Sequence, residues 1–369
     1  MAKFHFVLLA ILLVAVPYAS AKDTYFIGFL GNTNNVNSNA LFNSLQLAVD
    51  EFNATNTAYT ITPQFFSESD PSVSNSIKNQ NNLLGVIGNF NAGDRDIIEN
   101  VHEVPLISAA SEFAGLNADK RPNVFRIAAS DTELAAATAR FLVAVSQKNR
   151  FAVVYSGSST EYMKMAEAFQ SSAERNHARA DYFKEVDAGR KDFEAVLLRL
   201  RDLKVKTIYF AGPASQAALL AKQSSEMNVG ADFASTHLIC ASSFVKASKA
   251  GGQGAIFTMI SPSSIYGFKG FRPFLKKYYD KYKDDDIHMP YVYDAAGMLL
   301  SALPADKKNK NDIVKYLHET KYDGVTGPVY FNDGGERVVS PVYFYIIRGR
   351  EFLQRDLRGP EFLEYGKMR

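Results

Sequence analysis

The sequence predicts an α/β protein built on parallel sheets, and three observations carry that prediction. Short apolar runs of strand length recur at residues 25–30, 84–87, 105–108, 151–155, 207–211 and 237–241. Most are followed by a turn rich in Gly, Asn or Ser and then by an amphipathic helical pattern. The cycle runs through one series, and a second of the same kind starts after Asp131. Alternation of this sort means βαβ units and parallel strands. Ligands of such sheets bind outside the C-terminal ends of the strands, so function is sought in the loops that follow them.

In the first series, residues 23–30 read as a strand and 31–38 as a loop carrying Asn32, Asn34, Asn35 and Asn37. Residues 40–52 place Leu41, Leu45, Leu47, Ala48 and Phe52 on one helical stripe. Residues 59–66 alternate as a second strand, and 74–82 read as helix. The strand at 84–87 enters Gly88-Asn89-Phe90-Asn91-Ala92-Gly93. A helix at 94–102, a strand at 104–108 and a short strand at 123–128 close the series.

The second series begins with an Ala-rich helix at 133–148. Strand 151–155, helix 163–180, helix 193–203, strand 205–211 and helix 215–227 follow, then strands at 237–241 and 255–261. Three helices come next: 271–283, aromatic and Lys-rich; 291–303, strongly apolar; and 310–319. Residues 328–331 and 338–347, joined by Asn332-Asp333-Gly334-Gly335, read as a hairpin. The tail after Arg348 is charged and irregular. No low-complexity linker or internal repeat is visible.

The N-terminus has the pattern of a removable signal peptide. Lys3 supplies the positive charge, residues 6–16 are apolar, Pro17 breaks the run, and Ala19-Ser20-Ala21 offers a small-residue cleavage site. The expectation is cleavage after Ala21 and an exported, soluble product without a lipid anchor, since no Cys lies near the site. No other stretch reaches the ~18 apolar residues of a membrane span.

The 369 residues are enough for two domains. With 41 basic and 39 acidic residues, the composition gives no support for a nucleic-acid partner. Cys240 is the sole cysteine, so no internal disulfide can form, and its apolar surroundings read as those of a buried small hydrophobe. Balanced charge and the absence of heptads point to a monomer.

Enzyme chemistry finds no foothold. His5, His102, His177, His237, His288 and His318 show no ligand spacing, so no metal is expected. There is no G-x-G-x-x-G, and Gly251-Gly252-Gln253-Gly254 lacks the Lys-Ser/Thr of a phosphate-binding loop. Ser158 and Ser159 follow Gly157 without the second Gly of a nucleophile elbow. Asp284-Asp285-Asp286 reads as a solvated helix end. No cofactor is expected.

Several ordered patterns carry a resemblance. They are Gly85-Val86-Ile87-Gly88 followed by Val104-Pro105-Leu106-Ile107-Ser108-Ala109-Ala110-Ser111, then Val124-Phe125-Arg126 with Ser130-Asp131. Asp192-Phe193 with Leu197 and Leu200, and Ile208-Tyr209-Phe210-Ala211-Gly212, come next. Tyr293-Asp294-Ala295 and Gly324-Val325-Thr326-Gly327-Pro328-Val329-Tyr330-Phe331 complete the set. Together, over residues 25–347, they resemble the type I periplasmic binding proteins, and among them the leucine/isoleucine/valine-binding proteins of ABC importers.

The resemblance implies two doubly wound parallel-sheet lobes joined by a three-strand hinge, with the ligand between them. Lobe 1 would take residues 23–128 and 264–330, lobe 2 residues 129–263 and 331–356, and 357–369 would form a tail. It implies a non-enzymatic, periplasmic protein that captures a small polar or amphipathic molecule for a membrane permease. The alternative is a ligand-binding sensor subunit of a signalling receptor.

The candidate cleft residues follow from the loops and the resemblance. On the first lobe they are Asn32, Asn89, Phe90, Asn91, Ser108, Ala110, Ser111 and Glu112. Asn32 also suits a turn, Phe90 either stacks on ligand or packs inward, and Glu112 either faces a ligand charge or fills a helix's first turn. On the second lobe they are Tyr155, Tyr162, Gly212 and Ser242, with Tyr266 as a lid. The family's amino-acid binders place an acidic residue after the strand that precedes Ser242. Ala241-Ser242-Ser243 contains none, so a ligand ammonium would need Glu112 or Glu161.

Overall fold

The computed structural model describes residues 22–32, 34–56, 58–90, 94–109, 116, 121–262, 267–284, 286–303 and 309–355. The leader expected at residues 1–21 lies outside them. Two sheets organise the chain. The first has five parallel strands: β1 (Asp23–Gly31), β2 (Tyr59–Ser67), β3 (Leu83–Gly88), β4 (Leu106–Ser108) and β5 (Val124–Arg126), in the order β2-β1-β3-β4-β5. The helices between them are α1 (Val36–Thr55), α2 (Val73–Asn79) and α3 (Arg95–Asn100).

β3 is buried at all six positions, which is why it reads as an unbroken apolar run rather than an alternating one. Helix α1 starts four residues earlier than its apolar stripe, because the Asn35 side chain caps it by accepting the N–H of Asn37.

The second sheet follows α4 (Asp131–Ala144) and orders its strands β14-β13-β10-β9-β8-β6-β7. In chain order its elements are β6 (Arg150–Ser156), α5 (Thr160–Arg175), β7 (Arg179–Val186), α6 (Glu194–Asp202), β8 (Thr207–Ala211), α7 (Ala214–Glu226), β9 (Asp232–Thr236), α8 (Ser242–Ser248) and β10 (Ile256–Met259). The chain then returns to the first sheet. There α9 (Phe271–Lys281), α10 (Met289–Ser301) and α11 (Lys310–Glu319) contribute Phe274, Val292, Leu299, Ile313 and Leu317 to the core around Ile27, Leu84 and Ile107. Gly85 lets α10 lie close to the sheet, since a Cβ there would stand 2.8 Å from the Leu299 side chain. A small hairpin, β11 (Tyr322–Gly324) with β12 (Gly327–Val329), precedes β13 (Tyr343–Arg348) and β14 (Glu351–Gln354).

Four expectations are corrected. Residues 237–241 are not a strand. The strand is the five residues before them, and His237–Ile239 form a 3-10 turn. Pairing with β8 in the register Ile208↔Phe233 and Tyr209↔Ala234 fixes β9 upstream of the apolar run.

Helix α5 ends at Arg175, with Asn176 capping and His177 at φ 62°, and the chain turns into β7. That edge strand carries Arg179, Asp181, Lys184 and Glu185, charges that hide an edge strand's apolar signal. The expected hairpin of 328–331 with 338–347 pairs only at its tip, where Phe331 faces Arg337 in an antiparallel bridge and the Val338 N–H donates to Tyr330 O at 2.9 Å. β12 pairs with β11, and β13 lies antiparallel to β10, so the second sheet is mixed. Within the tail after Arg348, Glu351–Gln354 form strand β14 rather than irregular chain. Cys240 is half-buried against the second core, and burial raises its thiol pKa.

Three segments join the sheets: residues 127–130, the stretch after β10, and residues 330–342. One buried side chain gathers the first and third. Arg337 is 3% exposed. It donates to the carbonyls of Ile127 at 3.2 Å, Thr326 at 3.0 Å and Pro328 at 2.8 Å, and to the Thr326 hydroxyl at 3.0 Å. Beside it the third segment runs along β5: the Arg126 N–H donates to Gly335 O at 2.8 Å and the Arg337 N–H to Arg126 O at 3.1 Å. The second segment is held by the Tyr291 hydroxyl, which donates to Ile260 O at 2.7 Å.

Asp294, on the same helix as Tyr291, accepts the N–H groups of Val325 (2.7 Å) and Thr326 (2.8 Å) and the Thr326 hydroxyl (2.5 Å). Burial raises its pKa to about 6 against the pull of those donors and of Arg337.

Two outcomes follow. Arg337→Met leaves three buried carbonyls without their donor and is expected to lower stability by about 3 kcal/mol or more, read from urea unfolding. A loss under about 1 kcal/mol contradicts the role given to Arg337. For Asp294 the folded pKa lies above the ordinary 3.8. Its contribution is therefore fully present below about pH 4 and lost as pH rises through about 6. The unfolding free energy of wild type minus that of Asp294→Asn is expected to fall by roughly 2–3 kcal/mol across that window. A pH-independent difference contradicts it.

Candidate functional site

The first joining segment spans only residues 127–130, so it bridges at most about 14 Å. It leaves the C-terminal end of β5 and delivers the chain to the start of α4. That helix start lies at the C-terminal end of β9, where Asp131 Oδ1 is 3.5 Å from His237 Nδ1. The second segment departs from the C-terminal end of β10, and β13 begins opposite that end, with Met259 facing Tyr343. The C-terminal edges of both sheets are thus tied close together, and the loops at such edges are where ligands of parallel sheets bind.

On the first sheet, Asn32 follows β1. Its side-chain oxygen accepts the Asn34 N–H at 3.0 Å and its carbonyl accepts the Asn35 N–H, so it builds the turn that leads into α1. Asn89 is exposed at the end of β3. Phe90 is fully buried with Leu30, Phe66 and Val86 and packs inward. Ser108 ends β4 fully buried, and its hydroxyl has no hydrogen-bond partner among the described residues. Asn91, Ala110, Ser111, Glu112 and Tyr266 lie outside the described residues.

On the second sheet, Tyr155 is nearly buried, its ring against Phe183 at 5.3 Å, and burial followed by the Glu185 charge raises its phenol pKa. Tyr162 is half-buried on α5. Gly212 sits where a Cβ would stand 2.6 Å from the Phe210 ring and 2.9 Å from Ser156 Cβ, so close approach demands glycine. Ser242 starts α8 and faces a separate groove shared with Lys246 and Arg350. Glu161 is held by Lys164 at 2.8 Å.

The structure brings forward a group the sequence reading did not single out. Asp131, 5% exposed, opens the fourteen-residue helix α4, whose Ser130–Glu133 capping box fixes the first turn. The helix N-terminus favours its negative charge. His237 stands beside it, and the buried Tyr209 hydroxyl feels its field: burial, then the Asp131 charge, pushes the phenol pKa well above its ordinary value. The hydroxyls of Tyr209 and Thr236 have no hydrogen-bond partner among the described residues. The signal was present in Ser130-Asp131, but an acidic residue in a helix's first turn passes as ordinary capping chemistry. His237 was hidden inside the misplaced strand.

A cavity of about 630 Å³ opens beside the second joining segment, lined by Asn37, Ser261, Pro262, Phe271, Leu275, Tyr279, Asp286, Ile287, Met289 and Pro290. It mixes apolar walls with the Asp286 carboxylate, which accepts from His288 at 2.7 Å.

The family model described as periplasmic binding protein matches residues 31–351. The chain belongs to the periplasmic binding proteins. It is 20% identical over 255 residues to the Leu/Ile/Val-binding protein of Escherichia coli strain K12, covering 68% of each chain.

Among solved structures it is similar to the branched-chain amino acid transporter substrate binding protein LivJ of Streptococcus pneumoniae in complex with isoleucine. The TM-score there is 0.70, with 20% identity, 90% of this chain and 100% of that one. It is also similar to an R. palustris ABC transporter solute binding protein in complex with benzoate, with a TM-score of 0.67, 15% identity and 90% and 95% coverage. These likenesses show the two-sheet fold of the type I members, and the family is one of binding proteins, not enzymes.

Proposed function

We propose that this periplasmic binding protein is exported through its N-terminal leader and works in the periplasm. It captures a small polar or amphipathic solute between the two sheet edges and delivers it to the permease of an ABC importer. The solute is an amino acid, an amino-acid-like molecule, an amide or a small organic acid. The lobes are residues 23–128 with 264–330, and 129–263 with 331–356. Closure about the three joining segments buries the solute.

The observation that carries this reading is the face-to-face placement of the strand ends across residues 127–130, with Asp131 at the junction. Asp131 supplies the carboxylate that Ala241-Ser242-Ser243 lacks, so a ligand ammonium has a partner at the second sheet's edge. The Ser108 end of β4 offers hydroxyl and backbone donors to the opposite, carboxylate end of the same ligand, with Ala110 and Ser111 kept as candidates from the sequence. Asn32, Asn89, Tyr155, Tyr162 and Gly212 shape the walls. The relatives named above are a Leu/Ile/Val-binding protein and solute-binding proteins in complex with isoleucine and with benzoate, which brackets the ligand classes to try.

A thermal-shift titration of the purified protein with leucine, isoleucine, valine, their amides and benzoate tests this. A ligand that binds the folded state raises the melting temperature by mass action. The expected result is a saturable rise with at least one amino acid, weakened tenfold or more (about 1.4 kcal/mol) by Asp131→Asn. A benzoate response, if present, is expected to survive that substitution. No response to any member of the panel contradicts the reading.

A further inference from the structure

A second cavity lies away from the sheet edges that face each other. It holds about 940 Å³ and lies between the 242–253 segment and the β13–β14 turn. That turn sits at the N-terminal end of β10, where the Gly254 N–H donates to Ile347 O at 2.9 Å, so the groove reaches the far edge of the second sheet from the solute space.

Its polar lining is Ser242, Ser243, Lys246, Lys249, Gln253 and Arg350, three cations and no carboxylate. Among the described residues none of the three cations takes part in an ion pair, while Lys222, on the helix that packs beside this segment, is already matched by Glu226 at 2.9 Å. Three like charges around one concavity repel one another and attract a multivalent anion.

The groove is also held in shape. Gln253 Nε2 donates to Gly349 O at 3.0 Å, and the Gly349 N–H donates back to Gln253 Oε1 at 2.8 Å. This reciprocal pair locks the turn bearing Arg350 to the turn bearing Lys249. The latter is pressed against α7, since a Cβ on Gly251 would stand 1.9 Å from Ala221 O. Lys249 adopts φ 52°, ψ −130°, a conformation glycine takes freely and lysine resists. Two glycines stand within three residues of it, yet this position holds a lysine.

We propose that this groove is a second binding site, for a phosphate-type oxyanion, independent of the solute space. Lys246, Lys249 and Arg350 neutralise its charge, and the two serine hydroxyls and the Gln253 Nε2–H not used by Gly349 are at hand to donate hydrogen bonds to it. The phosphate is either free or the headgroup of an anionic lipid, and the chemistry recognised is the same.

The test titrates the full chain with inorganic phosphate against sodium chloride of equal ionic strength, reading the melting temperature. Wild type is compared with Lys249→Gly, which removes the charge and relieves the backbone, and with Arg350→Gln. The expected result is a saturable, phosphate-specific rise in wild type whose half-saturation moves at least tenfold higher in both variants, with Lys249→Gly at least as stable as wild type without phosphate. Sedimentation with phosphatidylglycerol vesicles separates the sources: co-sedimentation lost in both variants assigns the headgroup, and a phosphate response without it assigns the free ion. No phosphate or vesicle binding, or binding equal in all three proteins, overturns the proposal. An unchanged leucine response in Arg350→Gln is expected. Phosphate binding in a protein that answers no solute would leave this site standing and remove the solute reading instead.

Discussion

The guanidinium of Arg337 is the constraint on which the relation of the two sheets rests. A cation buried this deeply is tolerated only because four oxygens surround it, three of them backbone carbonyls from Ile127, Thr326 and Pro328. These carbonyls belong to the first joining segment and to the β11–β12 hairpin, and Arg337 itself lies on the third segment. One side chain therefore anchors two of the three connections to the first sheet. Asp294 fastens the hairpin from the other side by accepting two backbone N–H groups, and Tyr291, one helical turn earlier, holds the second connection at Ile260. The first and third joints are gripped from the first-sheet side, while the second is held from both, since the Tyr345 hydroxyl of β13 donates to Ser261 O at 2.9 Å beside the Ile260 anchor. Freedom to bend is left to the short stretches 128–130 and 338–342 and to the chain beyond Ser261.

That arrangement explains where the chemistry lies. Residues 127–130 are too few to separate the two C-terminal edges widely, so whatever stands just beyond them faces the opposite sheet. Asp131 is that residue. Its charge is supported by the α4 N-terminus, His237 Nδ1 stands 3.5 Å from its Oδ1, and Tyr209 lies within its field. A family member without an acid in the loop after β9 can still offer one from the helix that follows the first connection. The groove at Lys246, Lys249 and Arg350 lies by the turn at the N-terminal end of β10, so the oxyanion site proposed there is separable from the proposed solute space.

Much of the fold was legible in the sequence, and the exceptions have physical causes. β3, β6 and β8 are buried on both faces and appear as continuous apolar runs. β9 is just as buried at its last four positions but carries Ser235 and Thr236, so it looked polar, while the neighbouring Leu238-Ile239 looked like a strand. Ser235 is tolerated because its hydroxyl donates to Phe210 O at 2.8 Å. β7 is an edge strand whose charges protect it from further pairing, and Asp181 within it gathers Arg150 and Arg179. The site was less legible than the fold. Strand ends locate the edges, but only the packing of α4 across β9 and β10 brings Asp131 to His237, residues more than a hundred positions apart in sequence. For Phe90 the sequence leaves two alternatives open, and the structure takes the inward-packed one.

The most direct test of this account is small-angle X-ray scattering of the protein with and without the solute that gives the largest thermal shift. Joints anchored on the first sheet and bending toward the second require the radius of gyration to fall when solute saturates the space between the edges. Saturable binding with an unchanged radius of gyration would contradict the account.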